Sequence, residues 1–327
     1  MTMRTRSAIL LLTLLNALAV AANICYGSIH IPLAELLDER WHFIVWESRL
    51  PAALTALLTG AALAACGLLL QSYFRNPLAG PSILGITSGA NLMVALVTLG
   101  GLRWNIAWNS SFEMKGAVVF AAFVGAFLVL ALLLFLGRIV RSQVTLLIIG
   151  ILLSYLTSAL ITLLGYYASA QGFQQLMLWG MGDFSSVSVT ELPGFIGLIL
   201  VGLFVSFLLI KPLNGWMQGE RYAMNLGVDL KRTRILVLGV TGLLAAVTTA
   251  WCGPIAFVGL SMPHVARMLL KTDDHGKLLP VTILLGGLCC SLCLGLSTLP
   301  NGGTLLPINA LTPLFGVPVI IYVLLKK

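Results

Sequence analysis

Glu220-Arg-Tyr-Ala-Met-Asn-Leu-Gly227, continuing as Val-Asp-Leu-Lys-Arg-Thr-Arg234, is the longest strongly charged interruption in a chain otherwise built of apolar runs. Glu220, Arg221, Asp229, Lys231, Arg232 and Arg234 crowd into it, although only 9% of all residues are charged. The spacing predicts a short helix closed at Gly227, where a left-handed residue costs little. Asp229 can then cap a second helix that runs into the next apolar segment. Two short amphipathic helices between apolar spans offer a docking surface for a soluble partner. An ordinary solvated loop is the other reading of the same charges.

On either side of that stretch, the composition decides the class. The 327 residues are 59% hydrophobic with a mean hydropathy of +1.01, far too apolar for a soluble fold. Apolar runs of roughly 20 residues recur, long enough to cross a hydrocarbon core as helices. The expected class is therefore an all-α polytopic membrane protein. Arg4 and Arg6 precede a run to about Ala22. Its small-residue end also fits a cleaved signal peptide, but its length and the many later spans favour an uncleaved first helix. Residues 28–48 read as an external loop or surface helix. Further spans are expected at about Leu50–Tyr73, Ile83–Gly101, Gly116–Leu136, Val144–Tyr166, Leu192–Ile210, Ile235–Trp251, Ile255–Leu270, Leu278–Leu296 and Ile308–Leu325. With ten spans and both termini cytoplasmic, all of the 19 Lys and Arg residues except Arg40, Arg49, Arg103 and Lys115 fall inside. One span more or fewer would invert the downstream parity and destroy that asymmetry. Basic cytoplasmic loops also account for the net charge of +8 without nucleic acid.

The catalytic vocabulary is thin. All eleven acidic residues lie in loops or at helix ends, whereas a carrier coupled to protons or sodium needs an ionisable group inside a span. Neither a G-x-S-x-G elbow nor an H-E-x-x-H pair occurs, which argues against an intramembrane hydrolase. Gly276-Lys277 is followed by Leu278, so there is no phosphate-binding loop, and any ATPase is a separate chain. The six cysteines, Cys25, Cys66, Cys252, Cys289, Cys290 and Cys293, read as small packing residues rather than a metal site. No catalytic or metal-ligating residue is expected. Gly60-Ala-Ala-Leu-Ala-Ala-Cys-Gly67 and the Gly85/Gly89 step fit close helix packing. Gln71, Asn91, Ser154, Thr157 and Ser158 suit a cavity or another helix. A pathway lined by weak polar groups suits a large solute better than a single ion.

Arg49-Leu-Pro51, Gly60-Ala-Ala-Leu-Ala, Gln71-Ser-Tyr-Phe-Arg-Asn-Pro-Leu-Ala79, Pro81 and Leu84-Gly85 together resemble the FecCD-type permeases. These are membrane subunits of ABC importers for iron-siderophores, haem and vitamin B12. Gln175-Leu-Met-Leu-Trp-Gly-Met-Gly182, Gly219–Gly227 and Gly253-Pro-Ile-Ala-Phe-Val-Gly-Leu-Ser-Met-Pro-His-Val-Ala-Arg267 agree as well. Leu279-Pro280 and Gly316-Val-Pro318 complete an ordered match over nearly the whole chain.

The resemblance implies a type II ABC importer permease of ten helices, one domain over residues 1–327, with coupling helices at about 212–234. It implies a homodimer around one central path in the bacterial inner membrane. Two ATPase subunits would sit below, holding the ATP and magnesium, and a periplasmic binding protein above; no cofactor is expected in this chain. Gly219, Glu220, Arg221, Ala223, Leu226 and Gly227 match the segment that enters a cleft of the ATPase. Asn76, Pro77 and Leu78 match a cytoplasmic gate, although Asn-Pro also favours a plain turn. Ser142 and Gln143 supply the second gate element by position. Arg49 matches an arginine that meets the binding protein, and it is equally placed to anchor at the lipid headgroups. His264 is either a histidine satisfied by backbone or, less in keeping with its place, a haem ligand. Four positions depart from the pattern. Ala52 replaces a second arginine, Leu294 and Thr298 replace an acidic–arginine pair, and Leu305 replaces a glutamate before Pro307. The cargo implied is an iron chelate, siderophore or haem, with vitamin B12 as the alternative.

Overall fold

A computed structural model of the chain describes residues 3–27, 31, 38–100, 111–140, 142–299 and 306–325. Within them lie α1 (Met3–Cys25), α2 (Leu50–Phe74), α3 (Ile86–Gly100), α4 (Ser111–Ile139), α5 (Gln143–Tyr166), α6 (Ala170–Gly180) and α7 (Leu192–Leu208). They continue as α8 (Ile210–Met217), α9 (Glu220–Asn225), α10 (Leu230–Cys252), α11 (Val258–Leu270), α12 (His275–Ser297) and α13 (Ile308–Leu325), with no strand among the described residues.

The bundle is built around α2. Its sequence is apolar on every side, and a helix of that kind belongs inside a bundle. Leu63, Ala64, Ala65, Cys66, Leu68, Leu69 and Leu70 are all buried, and α12, α11, α10 and α7 pack around it. Small residues let backbones touch. A Cβ built on Gly60 would lie 2.0 Å from the Gly286 carbonyl oxygen of α12, and one on Gly67 would lie 1.6 Å from that of Gly259 on α11. Gly89 of α3 meets Gly125 of α4 in the same way, at 2.6 Å. The expected small-residue packing is therefore present at three helix crossings. The cysteines, too, pack as expected: all six are free, and Cys66 Sγ donates to the Thr241 carbonyl at 3.4 Å.

The helices at the expected span positions differ in length. Each of the ten expected positions holds a helix, yet among the described residues six helices are individually long and apolar enough to cross a membrane. A seventh span results if α7 and α8, bent by 47°, are taken together. The apolar parts of α3 and α13, Ile86–Leu99 and Ile308–Tyr322, are shorter, and α11 has only 13 residues. For α3 and α11 the cause is a paired break. The turns at Gly80–Ile83 and the non-helical Ile255–Phe257 line one cavity of about 170 Å³ together with Leu63, half-way along α2. Unwound backbone at that depth is tolerated only because protein, not lipid, surrounds it. Consequently α3 starts at Ile86 rather than at Ile83, and α11 at Val258 rather than at Ile255.

Helix directions follow from contacts. Asn16 and Asn23 of α1 donate to the carbonyls of Leu284 (3.0 Å) and Ser291 (2.8 Å), so α1 runs parallel to α12. The amide of Asn309, at the start of α13, donates to Met181 O at 2.9 Å. Ile320, near its other end, shares a cavity with Asn76. The start of α1 and the end of α13 thus approach the same end of the bundle, the end that carries α8 and α9.

Candidate functional site

The elements at that end are knitted together. Gly219 takes φ +122° before α9, and Gly227 takes φ +79° after it. The Gly227 and Val228 amides close the helix on Met224 O (2.9 Å) and Ala223 O (3.0 Å), as expected for a left-handed glycine just past a helix end. Asp229 then caps α10, accepting from the amides of Lys231 (2.9 Å) and Arg232 (3.1 Å). Within α9 only Ala223 is buried. Tyr222, Met224 and the adjoining Leu226 are each more than half exposed, and Glu220 and Arg221 are exposed beside them. A six-residue helix displaying both charge and large apolar side chains is poorly suited to water alone and well suited to a partner's cleft.

Preceding it, α8 is bolted to the end of α2. Trp216 is buried; its Nε1 donates to Tyr73 O at 3.2 Å, and its ring lies 5.3 Å from that of Tyr73. Arg75, left-handed at φ +45° where α2 stops, donates from its guanidinium to the Trp216 carbonyl. Asn214 of α8 accepts from both the backbone N (2.9 Å) and the Nδ1 (2.6 Å) of His275. His275 Nε2 meets Ser72 Oγ of α2 at 2.6 Å, and Asn214 Nδ2 donates to Asp274 at 3.0 Å. Sequence reasoning missed Trp216, Asn214, His275 and Ser72. They lie far apart along the chain, and no local spacing advertises them.

The expected gate residues adjoin this joint. Asn76 Oδ1 accepts from the Leu78 amide at 2.9 Å, fixing a turn around Pro77. His264 Nε2 donates to Pro77 O at 2.9 Å, so this histidine is engaged with backbone. Gln71, which sequence reasoning placed facing a cavity or a helix, does both. It donates to Leu260 O at 3.0 Å and accepts from Arg267 at 2.7 Å. With Asn76, Pro77, Leu78, His264 and Asp273 it lines a cavity of about 430 Å³. Ser142 caps α5 by accepting from the Thr145 amide at 3.3 Å, and Gln143 Nε2 donates to Glu220 Oε1 at 3.3 Å. Gln143, one of the two residues expected to form the second gate element, therefore touches α9 directly.

Arg49 lies at the opposite end. Its Nη1 donates to the last carbonyls of α1, Ile24 O and Cys25 O, both at 2.9 Å, groups that a helix end leaves unpaired. Ala52, Leu294 and Thr298, three of the four departures from the family pattern, line the same cavity of about 290 Å³ as Arg49. The three uncharged residues thus surround Arg49 in one cavity. Leu305 lies outside the described residues.

A model of the FecCD transport family matches residues 10–326. The chain belongs to that family. Among its FecCD relatives is the vitamin B12 import system permease protein BtuC of Citrobacter koseri, 35% identical over 316 residues, covering 97% of this chain and 93% of the relative. The protein of the same name from Klebsiella pneumoniae is 36% identical over 327 residues, covering 99% and 95%. Among solved structures, an ABC transporter described as of metal-chelate type, in an inward-facing conformation, superposes with a TM-score of 0.86 at 31% identity. That match covers 98% of this chain and 100% of the other. PsaBC from Streptococcus pneumoniae in complex with Fab shares the fold alone, with a TM-score of 0.60 at 18% identity over 89% and 95%. FecCD membership makes this chain an ABC importer permease, a multi-pass protein of the inner membrane.

Proposed function

We propose that two copies of this chain enclose a central path through which a bulky metal chelate enters the cytoplasm. Two ATP-binding subunits drive it from α9, and a periplasmic binding protein delivers the cargo at the Arg49 end. The chain acts as one permease domain with both termini cytoplasmic; it is not itself an enzyme, and ATP and magnesium are held by the partner. The observation that carries this reading is the hydrogen bond from Gln143 to Glu220, which supports treating α9 and the α4–α5 turn as one mechanical unit. Movement of α9 by a closing ATPase is thereby passed to the α4–α5 turn, and through Trp216 to the end of α2 and the Asn76–Leu78 turn. In support of a dimer, α5 is mostly unburied, and its exposed face mixes apolar residues with Tyr155, Ser158 and Thr162.

An iron chelate, siderophore or haem, is the first cargo to test. Cobalamin is the second reading, and the named relatives support it. Reconstitution of the chain with its ATPase and binding protein in vesicles tests the whole scheme. Uptake is expected only with all components and ATP. Uptake by the chain alone, or driven by an ion gradient, contradicts it. Uptake of labelled cobalamin but of no ferric chelate would select the second cargo.

A further inference from the structure

We propose that the groove between the α7–α8 bend and the α9–α10 turn is a binding site for an anionic phospholipid. The groove encloses about 750 Å³ and has two chemically distinct parts. Val205 and Leu208, from the last turn of α7, and Leu236, from the second turn of α10, form an apolar part. Leu208 is 61% and Leu236 38% exposed, so both present bare hydrocarbon where the helices enter the membrane. Lys211 and Arg232, both exposed, line the groove where the same helices leave the apolar run. Asp229 lines it too, but its carboxylate is tied to the Lys231 and Arg232 amides. Its three ionisable side chains therefore carry a surplus of one positive charge.

That arrangement fits a phosphodiester headgroup with its acyl chains. A free phosphate would use the cationic part and leave the apolar part unfilled. Basic pockets between membrane helices at the interface bind anionic headgroups on this principle, with each Lys or Arg adding about a fivefold preference. Leu226 and Gly227 also line the groove, so the lipid would sit beside the segment read as the ATPase contact; the inference itself rests on the membrane placement of the fold. A lipid seated here would wedge between α7 and the turn that orients α9.

The test uses the purified full chain and native mass spectrometry, with phosphatidylglycerol and phosphatidylcholine offered in turn. Retention of phosphatidylglycerol over phosphatidylcholine is expected, together with a roughly 30-fold loss of that preference in the K211A/R232A double variant. Lys231 is adjacent to Arg232 but does not line the groove, so K231A should keep the preference. Leu236→Trp, which fills the apolar part and leaves the charges in place, should weaken retention. Equal loss in K231A and the double variant overturns the site, because it would show only a diffuse basic surface. Displacement of the lipid by millimolar inorganic phosphate overturns the lipid assignment. Both results are independent of any uptake assay, so they leave the transport proposal standing.

Discussion

Gly227 has open space where a Cβ would lie, so conformation rather than crowding keeps a side chain away. Proline there forces φ to about −65° and removes the amide that bonds Met224 O at 2.9 Å. Because α9 is superficial, the G227P chain should fold and dimerise while ATP hydrolysis no longer drives uptake. Reversal of Glu220 to Lys, which turns the Gln143 contact from acceptor to competing donor, should act alike. Vesicle uptake measured alongside ATP turnover checks both. His264 yields a different expectation. Removing it in H264A takes the donor from Pro77 O, a half-buried group beside a cavity, and should cost about 0.5–1.5 kcal/mol in denaturant unfolding. Added haem should give the same absorbance spectrum with the wild type and with H264A. A haem band lost in the variant would make His264 a ligand after all. The turn chemistry of Gly227 and Asp229 was legible in sequence because caps are local. Arg49 was not, because its partners Ile24 and Cys25 are backbone carbonyls and so carry no residue signature.

At the scale of the element, the α2 crossings are the least forgiving. A methyl on Gly67 meets backbone on α11, not a side chain that could turn away, and overpacking of that kind costs about 1–3 kcal/mol or more. G67A should lower the thermal midpoint clearly, whereas G194A, at a position with open space, should change it little. A second element-level link is chemical. Lys115 of α4 meets Glu191, the residue before α7, at 2.9 Å, and Ser188 donates its hydroxyl to the same carboxylate at 2.6 Å. Burial alone would raise the Glu191 carboxyl; the Ser188 and Lys115 hydrogen bonds outweigh it and hold the group below the usual carboxylate range. A depressed pKa stabilises the fold above the unfolded value of about 4.3, and that stabilisation disappears as pH falls through the folded value. Thermal midpoints measured in detergent from pH 6 down to 3 should therefore fall more steeply in the wild type than in K115M. The apolar runs made nearly every helix readable. What the runs could not show was that the breaks at Gly80–Ile83 and Ile255–Phe257 face one cavity, because only the fold brings them side by side.

For the whole molecule, Arg75, Lys211, Arg221, Lys231 and Arg232 gather at one end with α8, α9 and the Asn76–Leu78 turn. The family pattern made this arrangement readable as a set of ordered blocks. The Ser72–His275–Asn214 joint that unites them depends on contacts spanning as many as 203 residues. The central claim is that a separate ATPase grips α9 from the cytoplasm. Met224, 53% exposed on that helix, permits a direct check: M224C carrying a short photo-crosslinker, in inside-out membrane vesicles with the ATPase subunit present. The account predicts a crosslinked permease–ATPase product from these vesicles, and labelling of residue 224 by an impermeant thiol reagent there but not in intact spheroplasts. Labelling of residue 224 from the outer face, with no crosslink to the ATPase, would contradict it.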